Sequence, residues 1–201
     1  MRELLDRRLR ADTVHAPGWV RASLEFVRTA MEEPSDEPPL QSSETGAIEL
    51  IDPNDTLDEP ARHWLECQVA KVAAGLCVRG EVRVRLMRDG AMAQAHERYK
   101  GVPGPTDVLT FDLSEADGVL DVDLMVCVDE AARRAGEFGH EVRAEVLLYI
   151  VHGVLHCMGH DDHDPADAKR MHEAEDALLR DIGVGAVYAP GVRPGLGGVE
   201  S

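Results

Sequence analysis

The 201-residue chain predicts an α+β fold: a small mixed β-sheet covered by helices, with its chemistry placed at the end of a central helix. Three observations lead there. Short β-rich runs alternate apolar and polar residues, as in Glu81 to Met87, where Val82, Val84 and Leu86 share one face and Arg83 and Arg85 the other. Between those runs, apolar residues recur at the three- and four-residue intervals of amphipathic helices. One helical stretch, His140 to Met158, carries the apolar run V-L-L-Y-I-V (Val146 to Val151) and leads straight into a histidine-rich segment.

In chain order, Trp19, Val20, Leu24, Val27 and Met31 stand at helical spacing and predict an amphipathic helix. Glu32 to Gly46 is a Pro/Ser/acid stretch that cannot bury enough apolar surface to hold a structure, so residues 1–46 are expected to form an extension and linker. A catalytic domain over 47–183 follows, with a loose Gly/Pro-rich tail at 184–201. Within the domain, Ile48–Ile51 predicts a strand, and Leu57–Cys77 a helix with Trp64, Leu65, Val69, Val72 and Leu76 on its apolar face. Glu81–Met87 is strand-like and Ala91–Tyr99 helix-like. Asp107–Leu113 and Asp121–Val128 are β-rich runs bounded by Pro, Gly and acidic turns. A helix over Asp129–Glu137 precedes the central one. Asp164-Pro165 opens the last helix, with aspartate as cap and proline in the first turn, and this helix ends near Ile182-Gly183.

His152 to His163 reads H-G-V-L-H-C-M-G-H-D-D-H. Four residues separate His152 from His156, so on a helix both imidazoles lie on one face, one turn apart. Gly159 can take the left-handed conformation that stops a helix and turns the chain back. That reversal brings Asp162, or its neighbour His163, toward the two imidazoles as a third ligand, and either suits zinc. His160 is a rival, but Gly159 breaks the register that would align it with His156. Three protein ligands with a fourth position open is the arrangement of catalytic rather than structural zinc.

The cysteines offer no competing site. Cys67, Cys77, Cys127 and Cys157 form no C-x-x-C pair, and all four are expected to be buried thiols in a reducing compartment. Peptidases of the H-E-x-x-H type place a glutamate directly after the first histidine as general base. Here that residue is Gly153, which favours another hydrolytic reaction.

H-G-x-L-H-x-x-G-x-D resembles the signature of the YbeY family of endoribonucleases and rRNA-maturation factors. Tyr99-Lys100-Gly101 followed by Pro105-Thr106-Asp107-Val108-Leu109-Thr110-Phe111 is similar to the family's Y-R-G and P-T-D-V-L-S-F, and Leu120 to Cys127 to its L-G-D-I strand. The match spans about Ala47 to Ile182. The resemblance implies a zinc-dependent, single-strand-specific endoribonuclease acting in 16S rRNA 3′-end maturation and ribosome quality control, with rRNA precursor and small-subunit assembly components as partners. It also implies catalytic roles for His152, His156 and Lys100, with Lys100 stabilising charge on the scissile phosphodiester. Asp161 would orient a ligand, while Thr106 and Asp107 would either shape the RNA groove or simply make a turn. The chain departs from the family in three ways. Asp162 stands where the family has histidine. Lys100 replaces an arginine and so lacks the bidentate fork. Val122 and Cys157 are expected to be packing adjustments.

A net charge of −17 opposes a simple RNA-binding surface, because such binding needs cations facing phosphates. Acids concentrate in Glu32–Asp58 and Asp161–Asp181, leaving Arg83, Arg85, Arg98 and Lys100 as either a local basic patch or an ordinary solvated face. No run is long and apolar enough for a membrane span or signal peptide, so a cytoplasmic protein is expected. Two other readings stand beside the nuclease: a zinc peptidase with an aspartate ligand, and a non-enzymatic assembly factor stabilised by its metal.

Overall fold

Strand β1 (Ala47–Ile51) lies parallel to β2 (Gly80–Met87), which lies parallel to β4 (Leu120–Cys127); β3 (Val108–Asp112) closes the sheet antiparallel to β4, giving the order β1-β2-β4-β3. The computed structural model describes residues 46–115, 118–185 and 187. The helix expected around Trp19 to Met31, most of the linker and nearly all of the tail fall outside these residues. Parallel neighbours need crossovers. Helix α1 (Glu59–Gly75) supplies one between β1 and β2, and α2 (Asp89–Lys100) leads from β2 to β3. Three helices follow β4: α3 (Val128–Phe138), α4 (Val142–Cys157) and α5 (Pro165–Asp181). The mixed sheet under helices agrees with the α+β expectation.

The period-two pattern of β2 and β4 decides what each sheet face meets. Val82, Val84, Leu86, Val122 and Val126 are fully buried on one face, and Leu124 nearly so. Against that face packs α4, whose residues Glu145 through Leu155 are all buried. A helix apolar around most of its circumference belongs in a core, and α4 also contacts β3, α1, α3 and α5. The opposite face is covered by α2, where Met92 and Ala95 pack with Leu109 and Cys127. Val122 belongs to the buried face, as a packing adjustment should.

Side-chain caps fix where α1 and α5 start. The Asp58 carboxylate accepts the Ala61 N–H at 2.8 Å, and Pro60 sits in the first turn of α1. Asp164 accepts from Ala166 and Asp167 at 2.8 and 2.9 Å, immediately before Pro165. Trp64 is half-buried rather than in the core, with the Arg143 guanidinium 4.7 Å from its ring centre.

One expectation needs correction, and one open alternative narrows. Cys67 and Cys77 are exposed, and only Cys127 is fully buried, with Cys157 intermediate. Cys67 sits about 200° around α1 from Leu65, away from the buried stripe, and Cys77 follows the helix end with φ of 50°. The basic patch fails at Arg83, whose guanidinium is held by Asp123 at 2.6 Å and Asp121 at 2.5 Å, with Glu81 at 3.4 Å. Parallel pairing of β2 with β4 puts Arg83 opposite Asp123, so its charge is spent within the protein.

Candidate metal centre

The end of α4 builds the site. His152 and His156 project from one face with their Nε2 atoms 3.0 Å apart. Glu175 Oε1 lies 2.7 Å from His152 Nδ1, and the His160 carbonyl oxygen lies 3.0 Å from His156 Nδ1. Carboxylates and carbonyls only accept, so each Nδ1 carries the proton. Each Nε2 then presents a lone pair, and two lone pairs 3.0 Å apart call for a shared cation or proton between them.

The third residue arrives by chain reversal. Gly159, at φ of 90°, follows the helix end. The N–H groups of His160 and Gly159 bond the carbonyls of Leu155 and His156 at 3.0 Å each, the double bond of a Schellman cap. Asp162 returns with Oδ2 3.8 Å from His152 Nε2 and Oδ1 3.7 Å from His156 Nε2. Ligands 2.0–2.2 Å from a tetrahedral ion sit about 3.3–3.6 Å from one another. The observed separations of 3.0, 3.7 and 3.8 Å bracket that range, so the donor set fits a divalent ion in both chemistry and spacing.

Asp162, not His163, joins the two imidazoles. His163 turns to Asp161, whose carboxylate also accepts the backbone N–H groups of Asp162 and His163 at 2.8 and 3.2 Å. Asp161 thus shapes the returning loop that carries Asp162, bonding the Asp162 N–H and His163 rather than His152 or His156. Asp161, Asp162 and His163 form a second, more exposed group of potential ligand atoms.

Glu175 was not singled out by the sequence, nor was His172. The Glu175 carboxylate is fully buried and accepts from His172 Nδ1 at 2.9 Å as well as from His152. The signal was faint but present: Met171, Glu175, Leu178 and Leu179 form one buried stripe of α5, and a glutamate among core positions needs a partner. Burial pushes Glu175 up, but the bonds from His152 and His172 outweigh it and leave the carboxyl below its usual range. Burial likewise pushes His152 down, while Glu175, Asp107 and Asp162 carry it above its ordinary value. His156 is lowered, by burial and by the charge on His152. The negative charge that raises His152 also makes its Nε2 a better donor to a cation.

Gly153 faces the sheet. A Cβ there would lie 2.8 Å from Leu124 Cδ2 and 3.1 Å from Thr110 Oγ1. The glutamate of an H-E-x-x-H peptidase is therefore both missing and without room. At the bend that opens β3, Asp107 Oδ1 accepts from the Thr106 hydroxyl and the Val108 N–H at 2.9 and 2.8 Å. Lys100 stands exposed as the last residue of α2, with no hydrogen bond or ion pair to the His/Asp cluster among the described residues.

This is an α+β protein whose central helix ends in a three-residue group able to hold a metal ion. The family described as Endoribonuclease YbeY matches residues 43–183. Among curated proteins, the endoribonuclease YbeY of Moorella thermoacetica is 35% identical over 129 residues, covering 58% of this chain and 82% of the relative. That of Anaeromyxobacter dehalogenans is 38% identical over 136 residues, covering 64% and 70%, and that of Mycobacterium tuberculosis 34% over 124, covering 56% and 69%. The solution structure of TM1509 from Thermotoga maritima shares the fold, with a TM-score of 0.51 at 23% identity over 68% of this chain and 89% of that one. The chain belongs to the YbeY endoribonuclease family.

Proposed function

We propose that this protein is a zinc-dependent, single-strand-specific endoribonuclease acting in the cytoplasm on rRNA precursor, in 16S 3′-end maturation and ribosome quality control, together with small-subunit assembly components. The observation that carries the metal part is the pair of Nε2 lone pairs, fixed by Glu175 and the His160 carbonyl, closing on the Asp162 carboxylate. His152, His156 and Asp162 would hold the ion. When bound, zinc lowers the pKa of a coordinated water and polarises a phosphoryl oxygen. Lys100, exposed at the end of α2, would meet a phosphate as a point charge. We assign the catalytic unit to residues 47–183. Among the described residues no helix is long and apolar enough to cross a membrane.

Metal analysis and single-stranded RNA cleavage test the reading together. His156→Ala and Asp162→Ala should lose bound zinc and cleavage in parallel, whereas His163→Ala should keep both. Full zinc occupancy in His156→Ala, or loss in His163→Ala alone, would overturn the ligand assignment. Casein degradation without RNA degradation by the wild type would make the protein a peptidase instead, against the steric block at Gly153.

A further inference from the structure

Among the described residues, three large apolar side chains stand well exposed: Tyr99 at 50%, Val102 at 42% and Leu113 at 50%. Only the tyrosine is built into a fixed geometry. Phe111 meets its ring edge-on, with centroids 5.0 Å apart and planes at 73°, so the ring is propped open rather than folded back on the surface. The Arg98 guanidinium lies 5.6 Å from the ring centre, and Lys100 follows directly. A ring half open to water, with a guanidinium beside it and a lysine next in sequence, suits a planar partner attached to negative charge.

Strand alternation ties this ring to the metal centre. Phe111 points to the α2 side of β3, where it supports Tyr99. Its neighbour Thr110 points to the other side, against Gly153 next to His152. β3 is the edge strand beyond β4, so its two faces put Phe111 beneath the tyrosine and Thr110 against the helix that carries His152 and His156.

We propose that Tyr99 is a substrate-binding residue: its exposed face stacks on one unpaired base of a single-stranded RNA that crosses the β3 edge, with Arg98 and Lys100 beside the flanking phosphates. Bases offer a face for stacking only when unpaired, and aromatic stacking tolerates any base, so this contact selects for strandedness rather than sequence. The inference rests on the endoribonuclease reading above and names how that site takes its substrate.

The test uses the full chain, zinc-loaded, with a single-stranded oligoribonucleotide and a blunt duplex of the same sequence. Tyr99→Ala should raise KM for the single strand about tenfold or more, the loss typical of one stacked base, with kcat and zinc content held within about twofold. Tyr99→Trp should keep the wild-type KM, and the emission it adds over the Trp19 and Trp64 signal of wild type should be quenched by the single strand and not by the duplex. A KM for Tyr99→Ala within about twofold of wild type, or an indole emission unmoved at saturating oligonucleotide, would overturn the proposal. Should Tyr99→Ala fail to fold, the quenching arm alone decides. Wild type without activity on either RNA sinks the nuclease reading and this proposal with it, whereas an active wild type matched by Tyr99→Ala sinks only the stacking role. Equal KM increases from Val102→Ser and Leu113→Ser would also count against it, since they mark a general apolar contact.

Discussion

Glu175 is the residue on which the centre's chemistry turns, because one carboxylate holds two imidazoles and thereby fixes which nitrogen of His152 faces the cluster. Glu175→Gln should weaken zinc affinity about 10- to 100-fold, the usual cost of losing a partner behind a metal-bound histidine, as measured by competition with a chelator. At Gly153 the expected effect is on stability: Gly153→Ala must press on Leu124 and Thr110, costing about 1–3 kcal/mol by overpacking, and Gly153→Glu should cost more because it also buries a carboxylate, as calorimetry should show without any gain of casein hydrolysis. The pairing of His152 with His156 was legible in sequence because both sit on one helix and spacing alone sets their approach. The partnership of His152 with Glu175 was not, because it spans 23 residues and depends on how α5 docks. Arg83 shows the same limit, since its two nearest partners come from the neighbouring strand.

Among the elements, α5 depends most visibly on its first turn. Asp164 satisfies two backbone donors that the helix itself cannot, and Asp164→Ala should cost about 1 kcal/mol of stability, read as a shift in urea midpoint with unchanged slope. These boundaries were readable from the sequence because capping is local: Asp58 with Pro60, and Asp164 with Pro165, announce helix starts within a few residues. Strand existence was readable too, from the alternation Val82, Val84, Leu86. Strand order was not, since nothing in a five-residue run says that β3 turns antiparallel on β4 while β1 and β2 run parallel. The cysteines were misjudged for a related reason. Cysteine's usual burial says little when helical position decides otherwise, and Cys67 falls off the stripe defined by Leu65, Val69 and Val72.

For the molecule as a whole, charge decides how conditions act. The Arg133 guanidinium reaches both oxygens of Asp89 at 2.7 and 2.8 Å and, outweighing burial, holds that carboxyl below its ordinary value of 3.8. A depressed folded value means stabilisation that is fully present above the unfolded pKa and lost as pH falls through the folded one. Thermal midpoints of wild type and Asp89→Asn should therefore differ at neutral pH, wild type being higher, and converge in strong acid. With a net charge of −17 and Arg83 neutralised internally, RNA affinity should fall with salt by a shallow slope, reflecting few phosphate contacts. The last helix also has a bearing on how the domain holds together. The His152–Glu175 bond ties α5 to α4, and an ion held by the cluster would tighten that tie by fixing the His152 ring from its other nitrogen. Stripping the ion should speed amide hydrogen exchange across α5 first, leaving the strands as slow as before.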